Sequence, residues 1–153
     1  MHDLDRAEEA VQHVLGSALA AARSQRPPGR GRPATRTVHR SLVEDAKALL
    51  GARALDQMPL AELARELHTS RFHLVRVFRR ETGTTIAAYR TQLRIRAALE
   101  RLLAGGDDLA AIAAECGFAS HSHLTDTFRR TLGAPPSGIR AAVSRGARLP
   151  GSG

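Results

Sequence analysis

Apolar residues recur at three- and four-residue steps along most of the chain, the period of one face of an α-helix. Leu4, Ala7, Val11, Val14, Leu15, Ala18, Leu19 and Ala22 form such a stripe, which predicts an amphipathic helix over residues 3–23 begun by Asp3 or Asp5. After an interruption the pattern resumes. Leu42, Ala46, Leu49 and Leu50 define one helix, Leu60, Leu63, Ala64 and Leu67 a second, and Leu74, Val77 and Phe78 a third. A longer helix from Thr84 to Leu103 carries Ile86, Tyr89, Leu93, Ala97 and Leu102. Gly105-Gly106 stops it, and Asp107 or Asp108 can cap the next. Leu109, Ile112, Ala113 and Cys116, then Leu124 and Phe128, then a short helix near Ser137 to Val143 complete the series. No run has strand character, so the expected fold class is all-α.

The interruption from Arg23 to Arg40 holds six Arg, no acid, and the breakers Pro27, Pro28, Gly29, Gly31 and Pro33. Such a segment cannot bury a core and reads as a flexible basic linker. The expected organisation is an N-terminal helix at 1–23, a linker at 24–39 and a first helical subdomain at 40–83. A linking helix at 84–104, a second subdomain at 105–144 and a disordered tail at 145–153 follow. The N-terminal helix has two readings, the edge of a missing sensor domain or a homodimerisation helix.

The two subdomains are copies of one unit. Ser70-Arg-Phe-His-Leu-Val-Arg-Val-Phe-Arg-Arg-Glu-Thr-Gly83 aligns without a gap on Ser120-His-Ser-His-Leu-Thr-Asp-Thr-Phe-Arg-Arg-Thr-Leu-Gly133. Upstream, Leu63-Ala64 answers Ile112-Ala113, with one extra residue in the second turn. Each copy has the parts of a helix-turn-helix: a short helix with a small residue at the crossing, a tight turn, and a second helix capped by Ser70 or Ser120. Leu74 with Phe78, and Leu124 with Phe128, stand at i and i+4 and mark the buried face. The opposite faces carry Arg71, Phe72, Val75, Arg76 and Arg79 in the first copy, and His121, Ser122, Thr125, Asp126 and Arg129 in the second.

Composition agrees with a polyanionic partner. The 153 residues carry 23 Lys+Arg against 15 Asp+Glu, a formal net charge of +8, and Lys47 is the only lysine. Arg grips phosphate or a guanine edge bidentately. A GC-rich genome raises the Arg count but does not decide where Arg residues sit. Cys116 is the only cysteine, which excludes an intramolecular disulfide and a multi-cysteine zinc site. Met1-His-Asp-Leu-Asp-Arg has no apolar stretch of signal-peptide length, and no run of about 18 apolar residues occurs. The expected location is the cytoplasm, on the nucleoid and away from membranes. His121 and His123 diverge on a helix and have no acidic or Cys partner nearby, so no metal is expected. There is no phosphate loop, nucleophile–base pair or apolar carboxylate pair, so neither cofactor nor enzymatic activity is expected.

The pattern Leu63-Ala-x-x-Leu67-x-x-Ser70-x-x-x-Leu74-x-Arg76-x-Phe78-x-x-x-x-Gly83 is followed by Ile112-Ala-x-x-Cys116-Gly117-Phe118-x-x-Ser-x-x-Leu124-x-x-x-Phe128-x-x-x-x-Gly133-x-Pro135. Over roughly residues 40–143 this resembles the AraC/XylS family of transcription regulators. The resemblance implies a seven-helix domain in which two helix-turn-helix subdomains, joined by a long helix, each place their second helix in a major groove. It implies double-stranded DNA and RNA polymerase as partners, and activation more often than repression. A linking helix of about 20 residues spans about 30 Å, close to the 34–36 Å of one DNA turn.

Arg76 is the foremost candidate base reader, through guanine O6 and N7. Arg71, Phe72 and Val75 join it in the first copy, with thymine methyls as targets for the two apolar side chains, although Phe72 equally suits the edge of the core. His121, Ser122, Thr125 and Asp126 are the second copy's base-reading candidates. Asp126 departs from the family pattern, standing where Arg76 stands in the first copy. It either accepts from cytosine N4 or leaves the second copy mainly to grip the backbone. Ser70, Arg79, Arg80, Ser120, Arg129 and Arg130 are phosphate candidates. His73 reads as a packing or phosphate-side residue and Cys116 as a small core residue. In the linker, Arg23, Arg26, Arg30, Arg32 and Arg36 either follow a minor groove or the DNA backbone or form a solvated tether. The rival function is non-specific architectural DNA binding.

Overall fold

The computed structural model describes residues 33–146. The expected N-terminal helix, the linker as far as Arg32 and the tail beyond residue 146 lie outside the described residues. Seven helices are described: α1 Pro33–Ala52, α2 Leu60–Glu66, α3 Arg71–Thr82, α4 Ile86–Leu103, α5 Leu109–Glu115, α6 His121–Leu132 and α7 Pro136–Gly146. Among the described residues there is no strand, and no helix is long and apolar enough to cross a membrane.

α1 starts seven residues earlier than expected, at Pro33 instead of residue 40. Proline in the first helical turn loses no hydrogen bond, because those N–H groups have no partner inside the helix. No further Pro or Gly intervenes before Gly51. The segment from Pro33 to His39, expected as linker, is therefore helical, and Arg36 sits on α1.

Two compact units divide the chain between Arg94 and Ile95, within α4. In the first, Val43, Ala46 and Leu50 of α1 meet Met58, Leu63 and Ala64, then Leu74, Val77 and Phe78 of α3, and Ile86 of α4. Both α1 and α2 pack on α3. Phe78 meets Tyr89 edge to face at 5.6 Å between ring centroids. Leu63, Leu74 and Phe78 are wholly out of water, each contributing about 1.5–3 kcal/mol of transfer free energy. Arg53 ties the end of α1 to the following turn and to α2, with Nε 2.9 Å from Asp56, Nη2 3.3 Å from Glu62 and Nη1 2.9 Å from Glu66. The hydrogen bond to Asp56, helped by the other two carboxylates, raises the Arg53 pKa.

In the second unit the core includes Ile95, Ala98, Leu99 and Leu102 of α4, Ile112 and Ala113 of α5, Cys116 and Phe118 of the turn, Leu124, Phe128 and Leu132 of α6, and Ile139 of α7. α5 packs on α6. α4 thus supplies core residues to both units. Pro135 supplies the carbonyl that receives the Ile139 N–H at 3.1 Å, opening α7 at the adjacent Pro136.

Candidate nucleic-acid interface

Each recognition-type helix is defined by its ends. The Ser70 hydroxyl accepts the His73 N–H at 3.1 Å, and the Ser120 hydroxyl accepts the His123 N–H at the same distance. Replacing such a cap by Ala costs about 1 kcal/mol. Gly83 and Gly133 close α3 and α6 in the left-handed region, at φ 75° and 76°, and their N–H groups reach the Arg79 and Arg129 carbonyls at 2.9 Å. The two helices are built alike.

The turns before them also correspond. The Thr69 N–H bonds to the Ala64 carbonyl at 2.9 Å and the His68 N–H to that of Arg65 at 3.1 Å. In the second unit Phe118 bonds to Ala113 at 2.8 Å and Gly117 to Ala114 at 3.2 Å. This crossed pair of bonds needs a left-handed residue just after the helix. Gly117 fills that place at φ 73°; in the first unit His68 does, at φ 51°. Phe118, in the place of Thr69, is buried and meets the His123 ring edge to face at 5.4 Å, and the extra residue of the second turn is the exposed Ala119 that follows it.

On the outward face of α3, Arg71, Phe72, Val75, Arg76, Arg79 and Arg80 are all exposed. Phe72 is 76 % exposed, which removes it from the core edge. The Arg76 guanidinium lies 5.7 Å over the Phe72 ring, and its Nη2 is 3.5 Å from His73 Nδ1. A cation–π contact at an exposed site is worth about 0.5–1 kcal/mol. Arg76 is thereby steadied one turn along from the exposed ring. Arg80 has two neighbours, Glu81 at 3.2 Å and His39 Nδ1 at 3.2 Å.

α6 presents a different face. His121, Ser122, Asp126, Arg129 and Arg130 are exposed, but Asp126 Oδ1 lies 3.6 Å from Arg129 Nη1 on the same helix. Thr125 is half-buried, with its hydroxyl turned out of solvent and without a hydrogen-bond partner. Arg130 donates to the buried Thr127 hydroxyl at 3.4 Å. α3 carries four Arg and one Glu, α6 two Arg and one Asp. The first face is much the more positive.

Two functional supports escape a reading by motif. Arg90 of α4 donates to the Met58 carbonyl at 2.7 Å, and Arg140 of α7 donates to the Gly106 carbonyl and pairs with Asp107 at 3.1 Å. Each fixes the loop entering its unit's first short helix, helped in the first unit by Arg94 on the Ala54 carbonyl at 3.4 Å and that of Asp56 at 3.3 Å. Partial burial, with the Arg94 charge nearby, lowers the Arg90 pKa. Arg90 and Arg140 stand in the same register as Ser70 and Ser120, so the repeat itself carried the signal. Among the described residues no three His, Cys, Asp or Glu side chains gather as a metal site.

A short helix, a left-handed turn and a Ser-capped helix with an outward Arg-bearing face, present twice, constitute a tandem helix-turn-helix domain. Residues 63–142 match the helix-turn-helix domain family, more than half of the chain. The chain belongs to the AraC/XylS family. It is 37% identical over 81 residues to a putative AraC-like transcription regulator of Streptomyces lividans, covering 53% of this chain and 27% of that protein. It is 35% identical over 85 residues to an HTH-type transcriptional regulator of Mycobacterium tuberculosis, covering 56% of this chain and 33% of that one. The match thus spans a third or less of those two proteins' length. The fold is similar to that of the DNA-binding domain of AdpA, a global transcriptional factor solved with a target DNA. The TM-score is 0.63 at 28% identity, over 71% of this chain and 97% of that one.

Proposed function

We propose that the chain is the DNA-binding part of a transcription regulator that recognises a specific double-stranded sequence, with α3 as the principal reader and α6 mainly holding the backbone. The observation that carries this reading is the outward face of α3, where an exposed Phe72 and its stacked Arg76 stand directly opposite a closed core. An exposed aromatic costs solubility and adds nothing to the core, whereas beside Arg it suits a groove edge with thymine methyls and guanine acceptors. Arg71 and Val75 complete the base-reading face, and Arg79, Arg80 and the Ser70 helix start contact phosphate. On α6, His121, Ser122 and Thr125 touch bases lightly, while Ser120 and Arg130 contact the backbone and Asp126 holds Arg129 back from a phosphate. RNA polymerase is the proposed protein partner once the chain is seated at a promoter.

Selection of bound sites from a random duplex library at fixed salt tests the proposal. A specific reader prefers its selected site over random duplex by on the order of 10³ or more. Arg76→Ala then costs the selected site about 1–3 kcal/mol and relaxes one base position, leaving random duplex nearly unchanged. A library that yields no enriched site favours the architectural reading and overturns this one.

A further inference from the structure

The inward stripe of α1 changes chemistry as it leaves the core. Val43, Ala46 and Leu50 are buried on it. Continued toward the N-terminus at the same three- and four-residue steps, the stripe passes through His39 and Arg36, both half-buried. Val38, on the other side of the helix, is 64 % exposed. The usual amphipathic polarity is thus inverted in these turns, with the apolar side chain facing solvent and the basic ones facing the domain. Arg40 lies beside them. At about 100° per residue, Arg36, His39 and Arg40 fall within an arc of about 100°.

His39 joins this arc to the recognition face. Its Nδ1 is 3.2 Å from Arg80 Nη2, and its ring centroid is 5.5 Å from that of His73, which in turn lies 3.5 Å from Arg76. The Glu81 carboxylate, on Arg80 Nε at 3.2 Å, is the acid paired to this group, and none occurs between Pro33 and Val43. His39 thus connects the basic arc of α1, which carries Arg36 and Arg40, to Arg80 and Arg76 on α3. Packing alone would be better served by apolar residues at 36 and 39. Cations held together repel one another, and a polyanion relieves that repulsion.

We propose that the first two turns of α1 are a phosphate-gripping wing alongside the first recognition helix, Arg36 and Arg40 each neutralising a backbone phosphate next to the segment read by α3. His39 links the wing to α3 through Arg80. The wing adds affinity without sequence preference, and it rests on the reading of α3 as the DNA-facing helix.

The test is a salt series of fluorescence-anisotropy titrations with the full 153-residue chain, on a library-selected duplex and on a random duplex of equal length. Each phosphate contact contributes about 0.9 to the slope of log K against log salt. Arg36→Ala with Arg40→Ala makes the slope shallower by about 1.8 and weakens binding about 60-fold at 0.1 M salt, alike on both duplexes. Arg36→Lys with Arg40→Lys keeps the slope, and matched thermal unfolding shows that the Ala variant remains folded. An unchanged slope overturns the wing, and so does a loss confined to the selected duplex. Lack of site preference in the unsubstituted chain overturns the reading of α3 instead, while the slope on random duplex still reports on the wing.

Discussion

Asp126→Ala separates the two roles assigned to the recognition helices. In the folded chain Asp126 Oδ1 stands 3.6 Å from Arg129 Nη1, with both side chains well exposed. An exposed i,i+3 pair supports a helix by only about 0.2–0.5 kcal/mol, so its loss barely changes stability. Its effect on DNA is larger. Removing the carboxylate deletes a negative charge from a face that approaches phosphates and frees Arg129 to make one more phosphate contact. One added contact steepens the salt dependence by about 0.9 in log K per log salt. Referred to 1 M salt, that tightens binding to random duplex about eightfold at 0.1 M and about fourfold at 0.2 M, fading at higher salt. Anisotropy titrations of a labelled random duplex at several salt concentrations measure both numbers. Equal affinity of the two proteins at every salt concentration would refute the reasoning that Asp126 restrains Arg129. Tighter binding that does not depend on salt would show that the gain is not ionic.

Two further outcomes concern the fold. His68→Gly removes a side chain from a left-handed turn at φ 51°, where Gly117 serves the same place in the second unit. The relief of strain exceeds glycine's extra unfolded-state entropy, for a gain of about 0.5–1 kcal/mol. A denaturation midpoint that falls or stays level contradicts this. Cys116 is buried in the second turn, and burial pushes its thiol pKa up. It should therefore resist a thiol reagent in the native state at neutral pH and react at the rate of unfolding. Because the folded pKa lies above the unfolded value, the stability this group contributes is complete below the ordinary thiol pKa and declines as pH rises through the folded one. Prompt stoichiometric labelling of native protein sinks this prediction.

Local signals made much of the architecture legible in sequence. Ser70 and Ser120 cap as their positions suggest, and Leu74/Phe78 and Leu124/Phe128 fall in the cores, because a cap and an i,i+4 pair each depend on a few neighbouring residues. The start of α1 was hidden by composition. Arg and Pro dominate that stretch, yet Pro33 is compatible with a first turn, and the half-buried Arg36 and His39 do not look like an inward face. The left-handed turn at His68 was invisible for a different reason: nothing in histidine demands that geometry, which is imposed by the crossed hydrogen bonds around it. Candidate reading residues were recognisable by face, but their states were not. Whether Phe72 is buried, whether the Thr125 hydroxyl points outward and whether Asp126 has a partner are all decided by packing and rotamer. Arg90 and Arg140 carry no local signal, because arginines on a helix ordinarily lie in solvent, and only the recurrence of the repeat beyond Gly83 and Gly133 marks them.

The braces at Arg90 and Arg140 have a consequence for how the chain can be divided. A cut after Gly83, where the first motif ends on paper, would discard Ile86, Tyr89 and Leu93 from the core and leave the Met58 carbonyl without its donor. The first compact unit runs through Arg94. Recombination, truncation or transplantation between relatives should therefore respect a boundary inside α4 and carry each brace with the loop it fixes. The repeated module is the motif together with the arginine that follows it.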